Sequence, residues 1–359
     1  MRTVFLHIGV FKTGSSALQV FFAMNQKQLA AAGVRYPSLS DLDGAKRGLV
    51  SSGNAAYLAR SLMEPEAPMA LPQQKDDQLR KFEQSLNNTK EGNLLLSSEF
   101  FSYVPGASFQ SLKEIANRNG FRLKVIAFVR EQTSYLESLY IQRVKRGGIQ
   151  QPPEEYIEKL IEDEKHLFYA KFFDDLASVI KRENIGLEVY ERKNLYSKMF
   201  WQLGLEPNKQ FTLPSRRVNI SLPLALIPLF LELNKLNPPQ SFADQIVSAY
   251  SKFNHKKESS GQTLLSPELR TRLVELYKSD NDKLFADWHT GATAFQSVER
   301  QHVSLDSAAN MLDLADIAKL MGGISIQHEA RIIRVEKAIM QLGELAGLED
   351  GWATKIKVR

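Results

Sequence analysis

The chain has 359 residues, 43% hydrophobic and 24% charged, which indicates a globular protein large enough for an α/β domain with an appendage. It contains no cysteine, which excludes disulfide bonds and cysteine-ligated zinc. The net charge of +5 suits an anionic ligand. No DNA- or RNA-binding motif accompanies this charge, so we expect no nucleic-acid partner.

Two apolar stretches bear on where the protein resides. The stretch near the start, Val4–Leu6, is too short for the core of a signal peptide. The longest stretch, residues 222–233, contains two prolines and is too short to span a bilayer. We therefore predict a soluble, cytoplasmic protein with no transmembrane segment.

The first predicted element is a short buried strand at Val4–Leu6, followed by a turn rich in glycine, serine and threonine. A helix begins near Ser15, and N–H groups at a helix start together with the helix dipole favour bound anions. Lys12 adds a mobile cation to the same turn. This segment predicts a site that binds a phosphate-like group and stabilises charge as it moves.

The turn does not fit the Walker loop of ATP-binding proteins, G-x-x-x-x-G-K-[ST]. With the lysine of that pattern aligned on Lys12, its two glycines would fall on Leu6 and Phe11. Only Lys12 and Thr13 fit the pattern. A P-loop kinase that uses ATP and Mg²⁺ is therefore a disfavoured alternative.

Residues 7–19, HIGVFKTGSSALQ, instead resemble the 5′-phosphosulfate loop of sulfotransferases that use 3′-phosphoadenosine-5′-phosphosulfate (PAPS). Bacterial and carbohydrate-type members have the pattern H-I-G-x-x-K-T-G-[ST]-[ST]-x-L-Q, which this segment matches at every fixed position. The resemblance implies that the 5′-phosphate of PAPS is held by Lys12, Thr13, Gly14, Ser15 and Ser16.

Helices and strands alternate along the next part of the chain. Helices are predicted at 17–32, 75–86, 131–146 and 169–182, and extended segments at 34–37, 93–97, 123–129 and 186–190. This alternation indicates an α/β fold with a mostly parallel sheet covered by helices, whose ligands bind beyond the carboxyl ends of the strands. The sulfotransferase resemblance implies that the fold is P-loop-like.

From about residue 221 the pattern is helical. Ser266 and Pro267 begin one helix, whose leucines at 269, 273, 276 and 284 suit one face, and Gly322-Gly323 separates helices at 306–321 and 325–346. We therefore divide the chain into an α/β sulfotransferase domain at 1–300 and a helical C-terminal extension at 301–359. The extension could cover the acceptor cleft, bind a partner or form a homodimer.

A second motif follows the strand at 123–129. Arg130 stands at the strand end, and Ser138 comes eight positions later, slightly over two helical turns and so on the same side. Arginine can clamp a phosphate with two parallel N–H bonds, and serine adds a hydroxyl. The alternative is an arginine paired with a surface carboxylate. The stretch VIAFVREQTSYLESLY resembles the 3′-phosphate element of sulfotransferases, which implies that role for Arg130 and Ser138.

Glu99 lies just beyond the strand at 93–97, beside Phe100 and Phe101, whose rings could partly desolvate its carboxylate and suit it to proton transfer. Carbohydrate-type sulfotransferases carry a similar L-S-S-E element, which implies that Glu99 deprotonates the acceptor. The alternative is a carboxylate that stabilises the next helix N-terminus. His7 is a second candidate for the base, and the alternative for it is a histidine at the strand end that fixes the loop by hydrogen bonding.

Three further residues are candidates for ligand contact. The segment SRRVNIS loosely resembles the late basic loop of the family, which implies that Arg216 or Arg217 reaches the 3′-phosphate. The Arg-Lys-Gly pattern of cytosolic members is absent from it. Asn54, which follows Ser-Ser-Gly, is a candidate for the acceptor pocket, and that pocket is expected in the loops at 38–75 and 148–168.

The resemblance implies in-line transfer of a sulfuryl group from PAPS to a hydroxyl or amine of a carbohydrate or another small metabolite. It implies no metal, because Lys12, the loop dipoles and hydroxyls match the charge of the leaving phosphate. A non-catalytic nucleotide-binding or interaction protein is the remaining alternative.

Overall fold

A computed structural model describes residues 1–10, 12–49, 51–206, 211–214, 222–253, 261–296 and 299–345. The chain forms two compact units: residues 1–140, 153–221 and 265–299 make the first, and 141–152, 222–264 and 300–359 the second. The last segment of the second unit begins at residue 300, whereas the predicted C-terminal extension begins at residue 301. This unit also includes two segments that the sequence analysis assigns to the α/β domain.

The first unit is built around a five-stranded sheet in the order β2-β3-β1-β4-β5. Every neighbouring pair in it is parallel. The predicted α/β fold with a parallel sheet flanked by helices is therefore confirmed. The strands are β1 (Arg2–Gly9), β2 (Val34–Arg35), β3 (Asn93–Ser98), β4 (Phe121–Val129) and β5 (Ile185–Val189).

The three central strands are apolar because helices cover both of their faces. Every residue of β1 after Arg2 is buried. In the register, Ile8 of β1 lies opposite Ser98 of β3, and Gly9 lies opposite Phe128 of β4. The carboxyl ends of β1, β3 and β4 therefore meet at one edge of the sheet, where ligands of parallel sheets bind.

The α-helices of the described residues are numbered in chain order. They are α1 (Ser15–Met24), α2 (Gln26–Ala31), α3 (Asp43–Lys46), α4 (Ala56–Ser61), α5 (Lys75–Asn87), α6 (Phe109–Arg118), α7 (Gln132–Arg146), α8 (Pro153–Asp163), α9 (Tyr169–Ile180), α10 (Leu195–Leu203), α11 (Ile227–Asn234), α12 (Gln240–Phe253), α13 (Pro267–Asp287), α14 (Leu305–Ala309) and α15 (Leu314–Leu345).

Two helices of the first unit differ in detail from the prediction. The helix expected at 17–32 is interrupted at Asn25, whose side-chain amide donates to the carbonyl of Phe21 and so competes with the backbone ladder. Helix α13 begins as predicted, with the Ser266 hydroxyl accepting from the Leu269 N–H. Its buried face uses Tyr277, whereas Leu276 is 42% exposed, so the predicted place of Leu276 on that face is wrong.

The second unit is helical, apart from two-residue strands at Gln262–Thr263 and Gln301–His302 that pair in parallel. Within it α11 packs on α14 and α12 packs on α15. The predicted break at Gly322-Gly323 is wrong, because α15 continues through both glycines. Each glycine costs a helix only about 1 kcal/mol, which a long helix tolerates.

Among the described residues, no helix combines the length and the apolar character needed to cross a membrane.

Candidate functional site

The turn between β1 and α1 is folded back onto the strand end by two hydroxyl groups. The Thr13 hydroxyl donates to the Val10 carbonyl at 2.5 Å, and the Ser15 hydroxyl donates to the same oxygen at 3.5 Å. Lys12 and Gly14 have positive φ angles of 66° and 81°, so the backbone changes direction twice within three residues. Because α1 begins at Ser15, the N–H groups of its first turn have no intrahelical acceptor and can meet an anion.

Glycine is required on both sides of this turn. A Cβ atom on Gly9 would lie 2.1 Å from the Ser15 Oγ, and one on Gly14 would lie 2.5 Å from a Leu195 methyl carbon. Both distances are shorter than any real Cβ contact. A side chain on Gly9 would therefore displace Ser15, and one on Gly14 would displace the Leu195 methyl group and strain the left-handed backbone there.

Arg130 lies directly beside this turn. Its Nη1 donates to the Lys12 carbonyl at 3.1 Å, and its guanidinium carbon is 6.0 Å from the centre of the Tyr190 ring. The Tyr169 hydroxyl donates to the Arg130 carbonyl at 2.8 Å and fixes the backbone there. Two cationic side chains that are far apart in the sequence thus stand at the same edge of the sheet.

The helix that follows Arg130 has a carboxylate at its N-terminus. Glu131 accepts from the Thr133 N–H at 3.0 Å, from the Ser134 N–H at 2.8 Å and from the Thr133 hydroxyl at 2.7 Å. These contacts already satisfy the start of α7, so a phosphate near Arg130 would not use that helix end. Ser138 is half-buried further along α7.

Glu99 stands at the end of β3 and begins a 3-10 turn that extends to Tyr103. Its backbone passes close to β1, since a Cβ on Gly9 would lie 3.4 Å from the Glu99 Cα. One carboxylate oxygen of Glu99 accepts from the Nε2 of Gln19, on α1, at 2.7 Å. The carboxylate is therefore held at the same edge as the turn, as the sequence predicts.

His7 does not lie at this edge. It is fully buried within β1, where its Nδ1 is 2.8 Å from the Ser97 hydroxyl and its ring meets Phe22 and Phe128 edge-on. Burial lowers the pKa of His7 to about 3, so its ring is neutral at neutral pH. A base must come within hydrogen-bond reach of the acceptor. The geometry therefore argues against His7 as the base and favours a structural role for this histidine in the core.

Asn54 is also a core residue. Its Nδ2 donates to the carbonyls of Pro37 (2.9 Å) and Leu95 (3.1 Å), and its Oδ1 accepts from the Ser97 N–H at 2.8 Å. Because the side chain is fully buried and both ends of its amide are engaged, it is not available to an acceptor. The geometry therefore argues against the predicted contact of Asn54 with the acceptor and shows that this residue links its loop to β3.

The structure thus gathers the turn 12–16, Arg130 and Glu99 at one sheet edge. Arg216 and Arg217 lie outside the described residues. Gln19, the last fixed position of the motif, also lies here, and its contact with Glu99 is not predicted from the sequence. Spacing along the chain could not reveal it, because the two residues are 80 positions apart.

A scan of the chain against protein-family models found no matching family. A search of curated proteins found no significant match either. Within the described residues, no group of three or more histidine or acidic side chains is arranged to hold a metal ion.

Proposed function

We propose that this chain is a PAPS-dependent sulfotransferase with a P-loop-like fold that transfers a sulfuryl group to a hydroxyl or amine of a carbohydrate or another small acceptor. The observation that carries the proposal is the hydrogen bond from Arg130 to the Lys12 carbonyl. It joins the two sequence elements that resemble the parts of sulfotransferases that bind the two ends of PAPS.

The residues of the turn fit the 5′ end of PAPS. In the proposed complex, the N–H groups at the start of α1 and the hydroxyl of Ser16 bind this phosphate, and the Lys12 ammonium follows the charge that develops on it. Arg130, at the neighbouring strand end, is the guanidinium that we assign to the 3′-phosphate. This arrangement binds a bisphosphate through positive groups and backbone dipoles from two adjacent strands.

In the transfer step, the acceptor atom forms a bond to sulfur while the bond from sulfur to the bridging oxygen breaks, and its electron pair stays with the 5′-phosphate. Lys12 stabilises the charge that develops on that oxygen. Glu99 takes the proton of the acceptor, since it is a carboxylate at the same edge. Preorganised charge of this kind is usually the largest contribution to catalysis.

The test combines binding and turnover. Calorimetry should detect 3′-phosphoadenosine-5′-phosphate binding to the wild-type chain, and labelled PAPS with a panel of acceptors should reveal transfer. Lys12→Ala should lower kcat by about 10² or more, as the loss of a charge-stabilising donor does elsewhere. Lys27→Ala is the matched control, because Lys27 is exposed on α2. Equal turnover of the two variants would remove Lys12 from the mechanism.

The same assays separate the alternatives. Stabilisation by ATP with Mg²⁺ and not by the bisphosphate would favour the kinase, which Leu6 and Phe11 disfavour. Tight bisphosphate binding without transfer to any acceptor would favour a non-catalytic nucleotide-binding protein.

A further inference from the structure

Gln19 is a polar side chain that the fold has enclosed completely. It lies on α1, has no exposed surface, and its Nε2 donates to the Glu99 carboxylate at 2.7 Å. An ionised carboxylate only accepts hydrogen bonds, so the amide must present its nitrogen to Glu99. The contact therefore fixes which way the Gln19 amide faces.

The Gln19 amide lies close to Gly53. A Cβ on Gly53 would lie 3.0 Å from the Gln19 Nε2 and 2.0 Å from the Ser97 carbonyl, so the glycine leaves space that any other residue would fill. The Gln19 Oε1 is buried and finds no hydrogen-bond partner among the described residues. An unpaired buried acceptor is unusual, and the bond from the nitrogen of the same amide to Glu99 explains why this oxygen faces away from a partner.

We propose that Gln19 is a positioning residue that orients the Glu99 carboxylate and keeps it ionised for proton transfer. The proposal rests on the proposed function, in which Glu99 is the base. A hydrogen bond donated to the charged form of a carboxylate favours that form. Gln19 therefore extends the range over which Glu99 can accept a proton toward lower pH, without contacting the nucleotide or the acceptor.

Other groups near Glu99 do not titrate in the same range. Burial lowers the pKa of His7 to about 3, and burial, with a smaller contribution from the charge of Glu99, raises the pKa of Tyr36 far above neutral. The neighbouring elements also carry two cationic side chains, Lys12 in the turn and Arg60 on α4. The acid limb of the activity profile therefore reports on Glu99.

The test replaces Gln19 with methionine, which is similar in length and volume but cannot donate. We expect the acid limb of kcat/KM to move up by about one pH unit, so that activity below the limb falls about tenfold. Affinity for 3′-phosphoadenosine-5′-phosphate should not change. Gln19→Glu is the second variant. It places two carboxylates together, and it should move the limb further in the same direction.

Gln202→Met is the matched control. Gln202 is also a buried glutamine that donates to a glutamate, Glu188 at 2.9 Å, but Glu188 lies on β5. This variant should lose stability and leave the acid limb in place. An acid limb that stays in place in both Gln19 variants, or one that moves equally in the Gln202 variant, would overturn the proposal.

A readout without turnover keeps the two proposals distinguishable. The carboxyl carbon of Glu99 can be titrated by NMR, with Glu99→Gln to assign its signal. If the wild-type chain transfers sulfate to no acceptor, the proposed function fails, yet the midpoint of Glu99 should still be higher in Gln19→Met than in the wild type. An unchanged midpoint would refute the coupling itself.

Discussion

Gly9→Ala is the substitution that most directly tests the geometry of the turn. The added Cβ would lie 2.1 Å from the Ser15 Oγ and 2.8 Å from the Ser15 Cβ. Rotating the Ser15 hydroxyl relieves the first contact and gives up its weak bond to Val10, but it does not relieve the second. Ser15 must therefore move as a whole, and it is the first residue of α1.

Overpacking of this kind costs about 1–3 kcal/mol. Because the displaced residue carries one of the N–H groups proposed to bind phosphate, we expect bisphosphate affinity to fall about tenfold or more, which corresponds to about 1.4 kcal/mol. Urea unfolding measures the first quantity and calorimetry the second. Gly44→Ala is the control, since a Cβ there meets only Leu49 at an ordinary 3.8 Å. If Gly9→Ala matched Gly44→Ala in both assays, the close approach of Ser15 would be refuted.

Four other predictions concern the site, the core and the C-terminal helix. Arg130→Ala should weaken bisphosphate binding more than it lowers kcat, and calorimetry that shows unchanged affinity would contradict its role. Glu99→Gln should abolish transfer while bisphosphate binding persists, so retained turnover would point to another base. Burial lowers the pKa of His7 and of His166 to about 3. Below about pH 6.5, both histidines therefore bind protons in the unfolded chain but stay neutral in the folded one. The free energy of unfolding should therefore fall as pH drops from about 6.5 toward 3, by up to about 1.4 kcal/mol per pH unit for each histidine, and a flat dependence in urea titrations would contradict this. The C-terminal helices were predicted to allow a homodimer, and Ile332 on α15 is 53% exposed. If the chain dimerises through this helix, Ile332→Glu should halve the mass measured by light scattering. An unchanged dimer mass would place the interface elsewhere.

The strands and the sheet edge were predictable because their signals are local. Strands β1, β3 and β4 are apolar runs that end at Gly9, Ser98 and Val129, and parallel pairing brings those ends together whatever the loops do. Glu99 and Arg130 could be placed at the edge on that reasoning alone. The same reasoning cannot identify which elements pack across the edge.

The predictions that failed depend on packing between distant segments. Asn54 follows a turn of small residues, a common place for a ligand contact. In the fold, however, its amide bonds to the Pro37 carbonyl and to the Ser97 N–H, and so links its loop to β3. His7 follows the strand predicted at 4–6, but β1 extends to Gly9, and the pattern along the strand does not reveal that the His7 ring meets Phe22 of α1 and Phe128 of β4. Gly322 and Gly323 indicated a helix end, yet the helical preference of the flanking residues outweighs two glycines.

The conformation of Lys12 connects the fold to the proposed chemistry. Left-handed backbone is unfavourable for a residue with a side chain, and it persists only where surrounding contacts hold it. Two such contacts are present: Thr13 binds the carbonyl of Val10 before Lys12, and Arg130 binds the carbonyl of Lys12 itself. Arg130 therefore has a second effect besides supplying charge, because its bond helps to keep the Lys12 backbone in this conformation. Glycine would adopt this backbone conformation without strain, but it would supply no cation. The proposed role of Lys12 in stabilising charge therefore accounts for a lysine, and not a glycine, at this strained position.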